Sequence, residues 1–121
     1  MLTHKFAMEF AWEWMESWNA HDLERILSHY SDDFEMASPY IPALAGEASG
    51  KLRGKAAVGA YWKRALQTSP DLYFEMIDVT AGVDSICIYY HSMPRNMKVM
   101  EWLRFGPDGK VVQAAAHYPG L

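Results

Sequence analysis

The stretch Trp18-Asn19-Ala20-His21-Asp22-Leu23 stands between two helical patterns, and its reading orders the chain on either side. Upstream, Phe6, Phe10, Trp14 and Trp18 recur four apart, flanked by Ala7, Ala11 and Met15. That spacing returns side chains to one helix face, so residues 4–18 are predicted as a helix with a wide buried stripe. Asn19-Ala20-His21 breaks the pattern. Asp22 is placed as the N-cap of a second short helix, its carboxylate accepting an unpaired backbone N–H, with Leu23, Ile26, Leu27 and Tyr30 facing inward. Ser31-Asp32-Asp33 ends that helix, and Phe34-Glu35-Met36 reads as a short strand running into Pro39.

Outward from there, residues 39–54 hold two Pro and three Gly and read as a long loop of the kind that covers a site. A third helix is predicted from Lys55 to Gln67, with Val58, Tyr61, Trp62, Ala65 and Leu66 inward, stopped by Ser69-Pro70-Asp71. Residues 72–81, 85–93, 97–105 and 111–118 are rich in β-branched and aromatic side chains. They are separated by Ala81-Gly82, Pro94-Arg95-Asn96 and Pro107-Asp108-Gly109, and Asp-Gly supplies the positive φ of a tight hairpin. Helices followed by an antiparallel meander make an α+β chain in a single domain, residues 1–121.

The strand faces add a further expectation. In 97–105 one alternation set is Met97, Val99, Glu101, Leu103 and Phe105, and the other is Lys98, Met100, Trp102 and Arg104. Both contain large apolar groups. A sheet with helices on one face normally keeps the other polar, so the outer face, with Tyr89, His91, Met100, Trp102 and His117, is assigned to a homodimer.

Composition narrows the classes. At 50% hydrophobic and 21% charged residues, the chain of 121 residues is no disordered or low-complexity polymer. Its five Trp, seven Tyr and five Phe exceed what a small core needs and point to a lined pocket or an interface. The single Cys87 cannot pair within the chain, which fits a reduced, cytoplasmic setting. Glu9, Glu13 and Glu16 interrupt the N-terminal apolar residues, so neither a signal peptide nor a membrane span is expected. Residues 1–35 carry eight acids and two bases, whereas the rest carries seven acids and nine bases. Five bases, Lys51, Arg53, Lys55, Lys63 and Arg64, fall in one acid-free stretch, read as a solvated face or an attraction for anionic groups. With a net charge of −4, no nucleic-acid partner is expected.

The run from Trp18 to Leu23, continuing through Ile26, Leu27 and Tyr30-Ser31-Asp32-Asp33-Phe34 to Ser38-Pro39, resembles the opening of SnoaL-like proteins in the nuclear transport factor 2-like superfamily. Gly54-Lys55-Ala56-Ala57-Val58 and Arg104-Phe105-Gly106-Pro107-Asp108-Gly109-Lys110-Val111-Val112 are similar to that family too. The resemblance implies a cone-shaped barrel, a curved, mostly antiparallel sheet wrapped around three N-terminal helices, with a deep apolar cavity and often a dimer. It leaves function open, because the superfamily hosts isomerases, polyketide cyclases, dehydratases and non-catalytic domains.

The ketosteroid isomerase pattern can be laid on this chain, with Asn19-Ala20-His21-Asp22 and Arg104-Phe105 through Gly109 as anchors. The resemblance then puts the oxyanion tyrosine at Trp14, the carboxylate base at Ser38, the protonated acid at Glu101, and two supporting tyrosines at Tyr30 and Trp62. A serine hydroxyl cannot replace a carboxylate base, and Glu35 belongs to the opposite strand face from Met36 and Ser38, so steroid-type isomerisation is disfavoured.

Glu101, between Val99 and Leu103 on one face, is the first candidate acid or base, since burial raises a carboxyl's pKa. Its alternative is a structural Glu paired with a buried Tyr or Trp. Trp14 and Tyr30 are candidate donors, and Trp18, Ser38, Trp62, Tyr90, Leu103, Phe105 and Tyr118 are candidate ligand-lining residues. His91 and His117 fall on the dimer face, while His4, His21 and His29 read as solvated, with no metal spacing among them. No cofactor motif is present: Gly46, Gly50, Gly54 and Gly59 lack a phosphate-loop ending. The expected partner is a small, largely apolar, aromatic or polyketide-like molecule, either transformed by acid–base chemistry or simply bound.

Overall fold

A computed structural model describes residues 1–120. Helix α1 (His4–Asn19) starts at Thr3, whose hydroxyl accepts from the Phe6 N–H, and buries Ala7, Ala11, Trp14, Met15 and Trp18. The chain then turns at His21, with φ 55°, into α2 (Leu23–Leu27), where Asp22 caps the Arg25 N–H as expected. Strand β1 (Tyr30–Ala37) is longer than predicted and begins at Tyr30, which therefore closes no helix. The Glu24 and Ile26 carbonyls take the Ser28 and His29 N–H groups and end α2 a turn early.

The expected loop contains two elements. Helix α3 (Ile41–Ala45) has Pro at its first turn and Gly46 at φ 73° after it, and β2 (Lys51–Arg53) pairs antiparallel with β1. After α4 (Lys55–Thr68) come β3 (Tyr73–Ala81), β4 (Ser85–Met93), β5 (Met97–Phe105) and β6 (Val111–His117). There are thus four helices among the described residues, not three. Gly59 of α4 faces α2, where a Cβ would meet the Leu27 side chain at 3.2 Å.

The six strands run in the order β2-β1-β6-β5-β4-β3, antiparallel except for the β1–β6 pair. The sheet does not close into a barrel, because β2 and β3 remain separate edges. Register shifts between Met76 and Asp78 and between Arg104 and Phe105 insert bulges, which bend strands. One face buries Phe34, Met36, Ile88, Tyr90, Val99 and Leu103 with the helices. Alternation on β4 and β5 is as expected: Glu101 is buried and Met100 is 52% exposed.

Candidate active site

Glu101 pairs with Ile88 on β4 and Ala116 on β6, so the register plants its carboxyl mid-sheet on the helix side. It is 4% exposed, and its Oε1 accepts from the Tyr90 hydroxyl at 3.2 Å. Burial dominates and lifts its pKa from the usual 4.5 to about 8, against the weaker lowering by Tyr90. At neutral pH the group is a carboxylic acid, able to donate.

The carboxyl opens on a chamber of about 80 Å³. Trp14 and Trp18 of α1, Tyr61 and Trp62 of α4, Phe74 of β3 and Tyr90 of β4 wall it with Met36, Leu72, Ala116 and Tyr118. Trp14 meets Phe74 in a stack at 5.7 Å and Tyr90 edge-on at 5.4 Å, geometries that lock aromatic walls. Behind them the Trp14 indole N–H donates to the Tyr30 hydroxyl at 2.9 Å. Ser38, 4% exposed, accepts from the Tyr61 hydroxyl at 3.2 Å. Burial, and then the nearby Glu101, push the Tyr30, Tyr90 and Tyr118 hydroxyls above their ordinary range. All three stay protonated donors. The Trp18 Nε1 is the one buried side-chain nitrogen or oxygen among the described residues with no hydrogen-bond partner.

A second hollow of about 110 Å³ adjoins the chamber and shares Tyr61, Leu72, Phe74, Tyr90 and Tyr118 with it. It is the mouth, bounded by Tyr40, Leu44, the end of α4 and the β4–β5 turn with Arg95. Larger shallow grooves elsewhere, such as the one beside Leu52, Lys63 and Arg64, are lined by no buried carboxyl group.

The structure brings together Glu101, Trp14, Trp18, Trp62, Tyr90 and Tyr118 and sets Tyr30 and Ser38 just behind the walls. Leu103 and Phe105 lie elsewhere. Leu103 is fully buried and lines neither the chamber nor the mouth, and Phe105 packs edge-on against Phe6 at 5.1 Å and Phe10 at 4.9 Å. Phe105 ends β5 beside the N-terminal half of α1, whereas the chamber is walled by the C-terminal half of that helix. Residues the sequence reading left out of the site are Tyr61, placed only in the core, and Met36, Phe74, Tyr40 and Arg95. Phe74 alternates with buried Val79 only across a bulge, which hid its face.

His29 is not solvated; its side chain is largely covered, sits 3.3 Å from Glu13 and is held below its ordinary pKa mainly by burial. The basic stretch is spread out, with Arg53 on Glu35, Lys55 on Asp32, and Arg64 donating to the Leu44 carbonyl. Among the described residues no cluster of His, Cys, Asp or Glu is placed to hold a metal, and no helix is long and apolar enough to cross a membrane.

The sequence profile of the SnoaL-like domain matches residues 11–114, which include every chamber wall except Ala116 and Tyr118. The chain belongs to the SnoaL-like family. This SnoaL-like chain is 55% identical to a SnoaL-like protein of unknown function from Burkholderia thailandensis, covering 98% of each chain at a TM-score of 0.93. A protein with a cystatin-like fold from Methylobium petroleophilum shares the architecture at 16% identity and a TM-score of 0.76, over 99% of this chain and 80% of the other. TerC, co-crystallised with polyporic acid, shares it at 15% identity and a TM-score of 0.76, over 93% of this chain and 91% of its own. A search of curated proteins found no match.

Proposed function

We propose that this SnoaL-like chain binds a small, largely apolar aromatic carbonyl compound in the chamber and mouth and catalyses cofactor-free proton transfer on it. The observation that carries this is Glu101, a buried carboxylic acid with a pKa of about 8 at the floor of an aromatic cavity. Its proton hydrogen-bonds a ligand carbonyl, and the bond strengthens as negative charge develops on that oxygen, lowering the barrier to loss of an adjacent C–H proton. No second carboxylate lines the chamber, so water takes that proton. Isomerisation, cyclisation and dehydration all begin this way. TerC, which shares the fold and was co-crystallised with polyporic acid, supports a small-molecule ligand in this cavity.

Size sets the ligand. An engineered cavity of ~150 Å³ holds one benzene ring, so the chamber alone is about half large enough. A ligand of one or two rings must therefore occupy chamber and mouth together, with its outer end extending out through the mouth.

The test uses β-tetralone, an aromatic ketone, in D₂O, following deuteration at its α-carbon by NMR. The wild-type chain is expected to accelerate exchange, with the rate falling above about pH 8 as Glu101 ionises. Glu101→Gln should bind the ketone and lose roughly 100-fold in rate, the lower range of acid–base contributions. Equal rates in the two proteins would remove Glu101 from the chemistry. Binding without exchange in the wild type supports the second reading, a ligand-binding domain, which the serine at the base position favours.

A further inference from the structure

The mouth carries a single charge. Of the side chains that line it, Arg95 alone is ionised, and no acid stands among them. Its guanidinium lies 5.2 Å over the Tyr40 ring, which in turn meets Tyr118 edge-on at 4.6 Å. Tyr118 lines both hollows, so the guanidinium is stacked at the outer end of the same aromatic wall that reaches Glu101. Arg95 forms no ion pair with any carboxylate among the described residues, whereas Arg25 and Arg53 each hold one. Among the described residues its donors thus meet no acid, and the planar fork matches a carboxylate.

We propose that the ligand is a carboxylate: its carbonyl end reaches Glu101, its rings fill the chamber and mouth, and its anionic group is held by Arg95. This rests on the cavity reading above and adds the charge of the ligand to it. Two observations point the same way. The chamber is too small to hold even one ring alone, so the outer end of any ligand comes to rest in the mouth. The inner end faces a neutral acid, so a ligand with a single anion is oriented with that anion outward; burying it beside uncharged walls would cost far more.

The experiment compares 6-acetyl-2-naphthoate with its methyl ester by calorimetric titration at low salt and about pH 6, where Glu101 keeps its proton. The wild-type chain is expected to bind the acid at least tenfold more tightly than the ester. Arg95→Gln should bind both alike, at the wild-type affinity for the ester. Equal affinity for acid and ester in the wild type, or a preference that survives Arg95→Gln, overturns the proposal and leaves the cavity reading standing. If neither compound binds the wild-type chain, the cavity reading fails and takes this proposal with it.

Discussion

Glu101 ties the chemistry of the chamber to the stability of the fold. Its folded pKa of about 8 lies above the usual 4.5, so between those values the folded chain holds a proton that the unfolded chain has released. Stability must then fall as pH rises through that window, approaching tenfold in the folding equilibrium per pH unit. His29 acts in the opposite sense, because burial depresses its pKa and the unfolded chain binds the extra proton below the ordinary value of 6.5. The sum of the two would blur a single titration, but Glu101→Gln isolates one of them. Guanidinium unfolding at intervals from pH 5 to pH 9 should show a variant that gains on the wild type up to about pH 8 and no further. Parallel curves for the two proteins would mean that the carboxyl is ionised in the folded state, and its role as a donor would go with that result.

At the scale of elements, the chamber depends on how the end of α1 holds β3. Asn19 Nδ2 donates to the Phe74 carbonyl at 2.9 Å, and Asn19 Oδ1 accepts from the Phe74 N–H at 2.7 Å. The His21 ring meets the Leu72 carbonyl at 2.8 Å one step before. Strand β3 is a sheet edge, so the Asn19 amide takes the place of a missing neighbouring strand and holds Phe74 as chamber wall, with the His21 ring holding Leu72 just before it. Two hydrogen bonds at about 1 kcal/mol each predict that Asn19→Ala costs roughly 2 kcal/mol. It should also speed amide exchange at Phe74 before global unfolding, and a loss below about 0.5 kcal/mol with exchange unchanged would reject the clamp. The break at Asn19-Ala20-His21 was legible in sequence, and so were α1, α4 and the four-strand meander, because each has a sustained period. Elements α3 and β2 were not, since five and three residues are too short to establish one. The same limit applies to the site. Alternation put Glu101 and Tyr90 on the inner face, but how far along the strand the cavity extends depends on packing, which misplaced Leu103 and Phe105 and left Arg95 out.

At the scale of the whole molecule, the outer face of the sheet gathers large apolar side chains from β4 and β5. The pairs Cys87–Trp102 and Tyr89–Met100 sit side by side at its centre, with Ala115 beside Trp102 and His117 beside Met100. Glu75 and Asp78 of β3 flank this patch on one side, and Lys98 and Arg104 lie along β5, next to His91 and Gln113. We propose that a second copy of the chain covers it. A two-fold axis running along β4 sets the acidic β3 of each copy toward the basic β5 of the other, so the face complements itself in charge as well as in apolar surface. Light scattering at about 10 µM, within the range of a stable interface of standard size, should give twice the chain mass of 13.8 kDa. Trp102→Asp would put a charge at the centre of the contact and is expected to give a folded monomer. Glu101 and the chamber lie on the other face, so that monomer should bind 6-acetyl-2-naphthoate as the wild type does. A monomeric wild type would defeat the dimer, whereas a monomeric Trp102→Asp that no longer binds would show that pairing of the sheets holds the chamber in shape.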